Sequence, residues 1–269
     1  MQTSGMKLNG SRVLVTGATG GIGEAIAAAC AAAGASVIVS GRRAEAVTKA
    51  AAQVGGKAVV ADLAADGAVQ SLLAEAGEVD VVIANAALPG SGDLFDYTPE
   101  QIDRAITVNL RVPMLLARLA GEQMIARGRG HLVFINSLSG KTASGGASIY
   151  NATKFGLRGF TLALREDLHD RGVGVSSIYP GFIRDAGMFA KSGASLPRGL
   201  GTRTPKDVAD AVVKAVENNI AELDVAPAPL RLGGAIGLAL PKLSVRLSRR
   251  MGAEIMGQLA EGHRVRDMR

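Results

Sequence analysis

The segment Ile149-Tyr150-Asn151-Ala152-Thr153-Lys154 places a tyrosine and a lysine four residues apart, and Ser137 precedes the tyrosine by thirteen positions. If the segment is helical, the two side chains stand one turn apart on one face and can meet. A neighbouring ammonium favours phenolate over phenol, whose free pKa is about 10. Tyr150 is therefore expected to ionise more easily than a free tyrosine and to give and take a proton near neutral pH. Taken alone, the pair carries little information, because any exposed helix can hold it.

The flanking elements make the pair informative. The run His131-Leu132-Val133-Phe134-Ile135, bounded by Gly130 and Asn136, reads as a buried strand, so Ser137 stands just past a strand end. After the loop, Phe155, Leu157, Phe160, Leu162, Leu164 and Leu168 recur at helical spacing. Near the start, Arg12–Thr16 reads as a strand leading into Gly17-Ala18-Thr19-Gly20-Gly21-Ile22-Gly23, then a helix over Glu24–Ala33 stopped by Gly34. Glycines let the backbone approach a pyrophosphate, and the helix N-terminus behind them offers free N–H groups and partial positive charge. Dinucleotide binding is expected there.

The alternation continues. Strands are expected over Ser36–Ser40, Lys57–Ala61, Val79–Ala84 and Val173–Tyr179, and a long helix after Pro99. Strands alternating with helices imply a parallel sheet covered on both faces, with ligands at the carboxyl ends of the strands. Gly17, Asn85, Ser137 and Pro180 all follow strand ends, so they fall along one edge. An NAD site usually carries an acid at the end of the second strand. This chain has Gly41-Arg42-Arg43 there, and two guanidiniums suit a 2′-phosphate, so NADP is expected, with NAD as the alternative.

The combined set resembles the short-chain dehydrogenase/reductase family: Thr16-Gly17-x-x-x-Gly21-x-Gly23, Asn85-Ala86-Ala87, Asn109 in Val108-Asn109-Leu110, Ser137, Tyr150, Lys154 and Pro180-Gly181, spanning about Lys7 to Val225. The resemblance implies a three-layer Rossmann fold, a doubly wound seven-stranded parallel sheet with helices on both faces, whose last strand is Ala221–Pro227. It also implies reversible hydride transfer between NAD(P) and an alcohol or carbonyl. Carried over residue by residue, Tyr150 is the acid/base, Lys154 lowers its pKa and holds the nicotinamide ribose, and Ser137 orients the substrate oxygen. Asn109 anchors a proton-relay water. The cofactor set comprises Gly17, Thr19, Gly20, Gly21, Ile22, Gly23, Arg42, Arg43, Asp62, Leu63, Asn85, Ala86, Tyr150, Lys154, Pro180, Gly181 and Ile183, with Asp62 at the adenine and the Ile183 backbone at the carboxamide. The chain departs from the family pattern at Ala84 and Ala87, in place of an asparagine and a glycine, and at Asp185, in place of a threonine.

The composition narrows the alternatives. The chain has 269 residues, 48% of them hydrophobic, and one cysteine, Cys30, so no intramolecular disulfide forms, which fits a reducing compartment. Met1–Gly10 lacks the apolar core of a signal peptide and no stretch is apolar enough to span a bilayer, so a cytoplasmic protein is expected. With 3% aromatics and no tryptophan there is no stacking platform for single-stranded nucleic acid, and no nucleic-acid partner is expected. Ser139-Gly140-Lys141-Thr142 resembles the end of a P-loop, but Ile135 stands where the glycine is required. No Gly-x-Ser-x-Gly turn occurs, and His131, His169 and His263 read as packing or surface residues, so no metal is expected. A non-catalytic dinucleotide sensor would need the glycines but not Asn109, Ser137, Tyr150 and Lys154.

Residues 1–229 are expected to form the Rossmann domain, with a lid over a small-molecule substrate at about 182–204. Met188, Phe189, Leu196 and Leu200 suggest that the substrate is apolar. Residues 230–269 form a basic extension. From Arg231 onward eight Arg/Lys face Glu254, Glu261 and Asp267, so the tail carries most of the formal net charge of +6. Packing of this extension on the domain or on a neighbouring subunit is expected rather than contact with a membrane, because glycines and Pro241 interrupt any continuous amphipathic helix. The family resemblance implies a homodimer or homotetramer, and Leu115, Leu119, Phe160 and Leu164 are interface candidates or, equally, intramolecular core.

Overall fold

A computed structural model describes residues 5–196, 199–240, 242 and 253–265. Its centre is a seven-stranded parallel sheet in the order β3-β2-β1-β4-β5-β6-β7. The strands are β1 Arg12–Val15, β2 Ser36–Gly41, β3 Lys57–Val60, β4 Val81–Ala84, β5 Gly130–Ile135, β6 Val173–Pro180 and β7 Glu222–Val225. The order reverses at β1, where β4 pairs on the opposite side from β2, in registers Val13↔Val81 and Val13↔Val37. That reversal opens a crevice at the carboxyl edge of the sheet.

Period-two alternation sends Val13 and Val15 to one face of the sheet and Leu14 to the other. On the first face lie α1 Gly21–Ala32, α2 Ala44–Gln53 and α8 Pro205–Asn218, through Ile26, Val47 and Val212. On the second lie α3 Ala68–Ala76, α5 Val112–Ala126 and α6 Ser148–Asp167, through Leu72, Leu116 and Leu157. Burying each such aliphatic side chain contributes about 1.5–3 kcal/mol before entropy is counted. Both faces are covered, which is why the strands read as continuous apolar runs.

Two departures from the expected elements bear on the site. Helix α1 begins at Gly21 rather than Glu24, so the last glycines of the loop form its first turn. The helix after Pro99 is not continuous: α4 Pro99–Ile106 passes through a π turn at Thr107–Arg111 before α5. Leu115, Leu119, Phe160 and Leu164 pack against the chain's own core, whereas Ile106, Phe155 and Leu162 are exposed.

Beyond β6, α7 Gly187–Ser192 lines the cleft through Met188 and Phe189, and α9 Ala228–Ala239 follows β7. A further helix, α10, covers Ala253–Val265. Of the basic extension, Pro241, Leu243, Val245, Arg246, Leu247, Arg249 and Arg250 lie outside the described residues. No helix among the described residues is long and apolar enough to cross a membrane.

Candidate active site

The glycine turn is shaped by contacts that exclude side chains. Gly17 has φ +62°, and a Cβ there would lie 2.8 Å from the Ala86 Cα. A Cβ on Gly23 would collide with the Gly17 carbonyl oxygen and lie 2.8 Å from Asn85 Nδ2. Asn85 does not merely line this cradle; it builds it. Its Nδ2 donates to the carbonyls of Thr16 (2.9 Å) and Gly17 (3.0 Å), while Thr16 Oγ1 accepts from the N–H groups of Asn85 (3.1 Å) and Ala86 (3.2 Å). Thr16, buried at the end of β1, thus joins β1 to β4 under the turn. Gly20, Gly21 and Ile22 then open α1, leaving its first N–H groups towards the cleft.

The other predicted cofactor positions line the same cleft of about 1380 Å³. Arg42 and Arg43 are exposed at the end of β2, Arg43 opens α2, and among the described residues neither forms an ion pair. Gly41 lets Thr19 pack across the strand end, since a Cβ there would lie 3.0 Å from Thr19 Oγ1. Asp62 is exposed and its Oδ1 accepts from the Ala64 N–H at 3.1 Å, while Leu63 is buried beside it. Pro180, Gly181 and Ile183 lie at the far side, where Ile183 is buried and bridged to Arg203. Asp185 has φ +69°, in the left-handed region, and the following Ala186 presses its Cβ towards Gly21. Ala87 is not among the positive-φ residues, so its position does not demand a glycine.

Ser137, Tyr150 and Lys154 come together at the end of β5 and the first turns of α6. Ser137 stands beside Tyr150, and its hydroxyl favours the ionised form of the phenol. Lys154 is buried, with Nζ donating to the Ile135 carbonyl at 3.0 Å and lying 5.6 Å from the Tyr150 ring centroid. The expected depression of the tyrosine does not occur. Burial pushes Tyr150 up to about 12, and the neighbouring Ser137 hydroxyl pulls back only part of that. Burial also lowers Lys154 to about 8, because an ammonium is costly in the same low-dielectric pocket. Around neutral pH the phenol therefore holds its proton and is poised as a donor.

Asn109 sits in the π turn, 1% exposed. Its amide is engaged on both sides by one residue: Oδ1 accepts from the Leu88 N–H at 2.7 Å and Nδ2 donates to the Leu88 carbonyl at 2.9 Å. Its side chain thus braces the loop after β4. Sequence reasoning did not single out three other side chains that position the site. Asn136 Oδ1 accepts the Ser137 N–H at 2.9 Å. Asn151 Nδ2 donates to the carbonyls of Ser139 (2.8 Å) and Thr142 (3.0 Å), pinning the Ser137 loop to α6. Lys141, buried, reaches Asp224 Oδ1 at 2.7 Å and ties that loop to β7. An asparagine on the buried side of a helix, between Tyr150 and Lys154, is the signal that would have revealed Asn151.

A family model described as short chain dehydrogenase matches residues 11–196, most of the chain. The ketoacyl reductase HetN of Nostoc sp. is 34% identical over 97% of this chain and 96% of its own length. The chain belongs to the short-chain dehydrogenase family. It is an NAD(P)-dependent oxidoreductase of that family, acting on CH–OH and C=O groups. An uncharacterized oxidoreductase of Staphylococcus aureus is 33% identical over 80% of this short-chain dehydrogenase and 96% of its own length. Among solved structures, a metagenomic short-chain oxidoreductase in complex with NADP superposes with TM-score 0.68 at 32% identity, covering 83% of this chain and 100% of the other. A short-chain dehydrogenase from Sphingobium yanoikuyae in complex with NADPH does so with TM-score 0.75 at 25% identity, covering 87% and 95%.

Proposed function

We propose that this short-chain dehydrogenase is an NADPH-dependent carbonyl reductase whose substrate is a ketone on an apolar chain, of the 3-ketoacyl kind. The observation that carries the reading is one cleft lined both by Arg42 and Arg43, which form no ion pair among the described residues, and by Ser137, Tyr150 and Lys154. Its volume exceeds the roughly 300–1,000 Å³ of a single-ligand pocket, enough for a dinucleotide and a substrate together. The relative named a ketoacyl reductase and the two neighbours holding NADP and NADPH support the same assignment.

The nicotinamide dinucleotide, once bound, supplies a hydride to the carbonyl carbon. The glycine cradle fits its pyrophosphate, since any Cβ on Gly17 or Gly23 would fill the space the backbone leaves. Arg42 and Arg43 select the 2′-phosphate. The Ser137 hydroxyl donates to the substrate oxygen and fixes it beside the Tyr150 phenol. Tyr150 gives its proton to the oxygen as negative charge develops there, and Lys154 stabilises the phenolate left behind. Asn109 holds Leu88 against the substrate side of the cleft, and residues 182–196 and 199–204 cover it as a lid. The apolar lining from Met188, Phe189 and Leu200 favours a hydrocarbon chain over a sugar or amino acid. The exposed Ile106, Phe155 and Leu162 on α4 and α6 supply the contact of a homo-oligomer.

Consumption of NADPH and NADH with a series of 3-ketoacyl thioesters and simple ketones tests the reading. NADPH turnover is expected, with Tyr150→Phe inactive but still binding NADPH. If the phenylalanine variant kept within tenfold of the parent rate, about 1.4 kcal/mol of barrier, Tyr150 would not be the proton donor. If the parent bound NADPH yet turned over no carbonyl, a dinucleotide sensor would be the better description.

A further inference from the structure

We propose that α10 sets the length of apolar chain this enzyme accepts, with Leu259 as the residue that limits it. The inference rests on the carbonyl-reductase reading for its substrate and adds the element that measures it.

Three contacts seat α10 on the lid helix α7. His263, 2% exposed, is hydrogen-bonded through Nε2 to the Met188 carbonyl at 3.1 Å. Gln258 Oε1 accepts from the Ser195 N–H at 2.9 Å, just beyond α7. Gly262 lets the two backbones close together, since a Cβ there would collide with the Ser192 carbonyl oxygen. The lid is therefore pinned by a helix about seventy positions later in the chain. Leu259, one turn before His263, is 7% exposed and faces the cleft alongside Met188 and Phe189.

The opposite wall is also held in place. Helix α9 presents Leu230 and Ile236 to the cleft. It lies close to the Ser137 loop, because a Cβ on Gly237 would stand 2.8 Å from Thr142 Cβ and 2.9 Å from the Lys141 carbonyl oxygen. Leu230 approaches Gly181 and packs with Leu138, next to the serine itself. An apolar chain attached to a carbonyl at Ser137 and Tyr150 thus enters a slot between α7 and α9, walled by Leu259 of α10. Both walls are fixed by close backbone contact, so the slot has a set size.

Each further methylene that such a slot buries is about fourfold in affinity, and one that meets a wall gains nothing. The test compares kcat/KM for short and long 3-ketoacyl thioesters with NADPH. Leu259→Ala is expected to raise the long-to-short ratio about tenfold, and Leu259→Trp to lower it by a similar factor. Damage to the lid would move both variants the same way, so opposite shifts separate a size limit from a structural fault. Should Leu259→Trp fail to accumulate, Leu259→Phe takes its place. In parallel, calorimetric affinities of NADPH-saturated protein for n-alkanols of graded length read the slot without turnover. If no carbonyl is reduced but the alkanol preference shifts as described, the reductase reading falls and the size limit stands. If carbonyls are reduced while both ratios stay within twofold of the parent, or move together, the assignment of α10 is overturned.

Discussion

Replacing Asn85 by alanine tests whether this side chain builds the anion cradle. The change removes two hydrogen bonds, Nδ2 to the Thr16 carbonyl at 2.9 Å and to the Gly17 carbonyl at 3.0 Å. At about 1 kcal/mol net each, the loss is about 2 kcal/mol, or roughly 30-fold in an equilibrium constant. Because Gly17 is held at φ +62° by the same contacts, part of that loss is expected in cofactor affinity and part in global stability. NADPH fluorescence titration and urea unfolding measure the two parts, and the NADPH Kd should rise by about tenfold or more. Asn85→Asp should bind NADPH more weakly than Asn85→Ala, since it sets a carboxylate against two carbonyls and near the pyrophosphate. The reasoning fails if stability drops by about 2 kcal/mol while the NADPH Kd stays within twofold, because Asn85 would then only join β1 to β4.

Three further outcomes are expected. Alanine at both Arg42 and Arg43 should weaken NADPH by tenfold or more and leave NADH nearly unchanged; equal losses would mean the arginines act through the general field. His131 is buried against Ser176, and burial, with the nearby Arg165, lowers its pKa to about 3, so acid favours the unfolded chain. Stability attributable to it should fall by about 1.4 kcal/mol per pH unit as pH drops below about 6.5. In His131→Gln the slope of unfolding free energy between pH 6 and 5 should be visibly flatter, and an unchanged slope would reject the assignment. Ketone reduction should decline as pH rises through about 8, where Lys154 loses the charge that stabilises phenolate, and Lys154→Arg should move that limb upward; a limb that stays put belongs to another group.

The parallel sheet and the clustering of Gly17, Asn85, Ser137 and Tyr150 were readable because they depend on local signals: apolar runs, glycine turns and strand ends. The ionisation state of Tyr150 was not. Spacing placed an ammonium beside the phenol, but the balance between that charge and desolvation depends on burial, which only the packed fold supplies. The same applies to Asn109, whose amide partner Leu88 lies 21 residues away. The π turn that carries it leaves no mark on the apolar spacing of Ile102 and Ile106. Whether Leu115 and Leu119 face the chain's own sheet could not be read from spacing either, since a helix facing its own sheet and one facing a neighbour bury leucines at the same period.

The pairing of β1 with β4 has a consequence for biogenesis. On a ribosome β1 emerges first, yet the strand that fills its open side, in register Val13↔Val81, is made only after two strands and three helices have appeared. Until then the nascent chain carries a nucleotide turn without Asn85 to brace it, and the inner edge of β1 lies unpaired. A parallel sheet assembled from such distant segments folds late and exposes strand edges while it waits. The dinucleotide therefore meets a finished cradle only once β4 is docked, and cofactor capture by arrested chains of increasing length would time that docking.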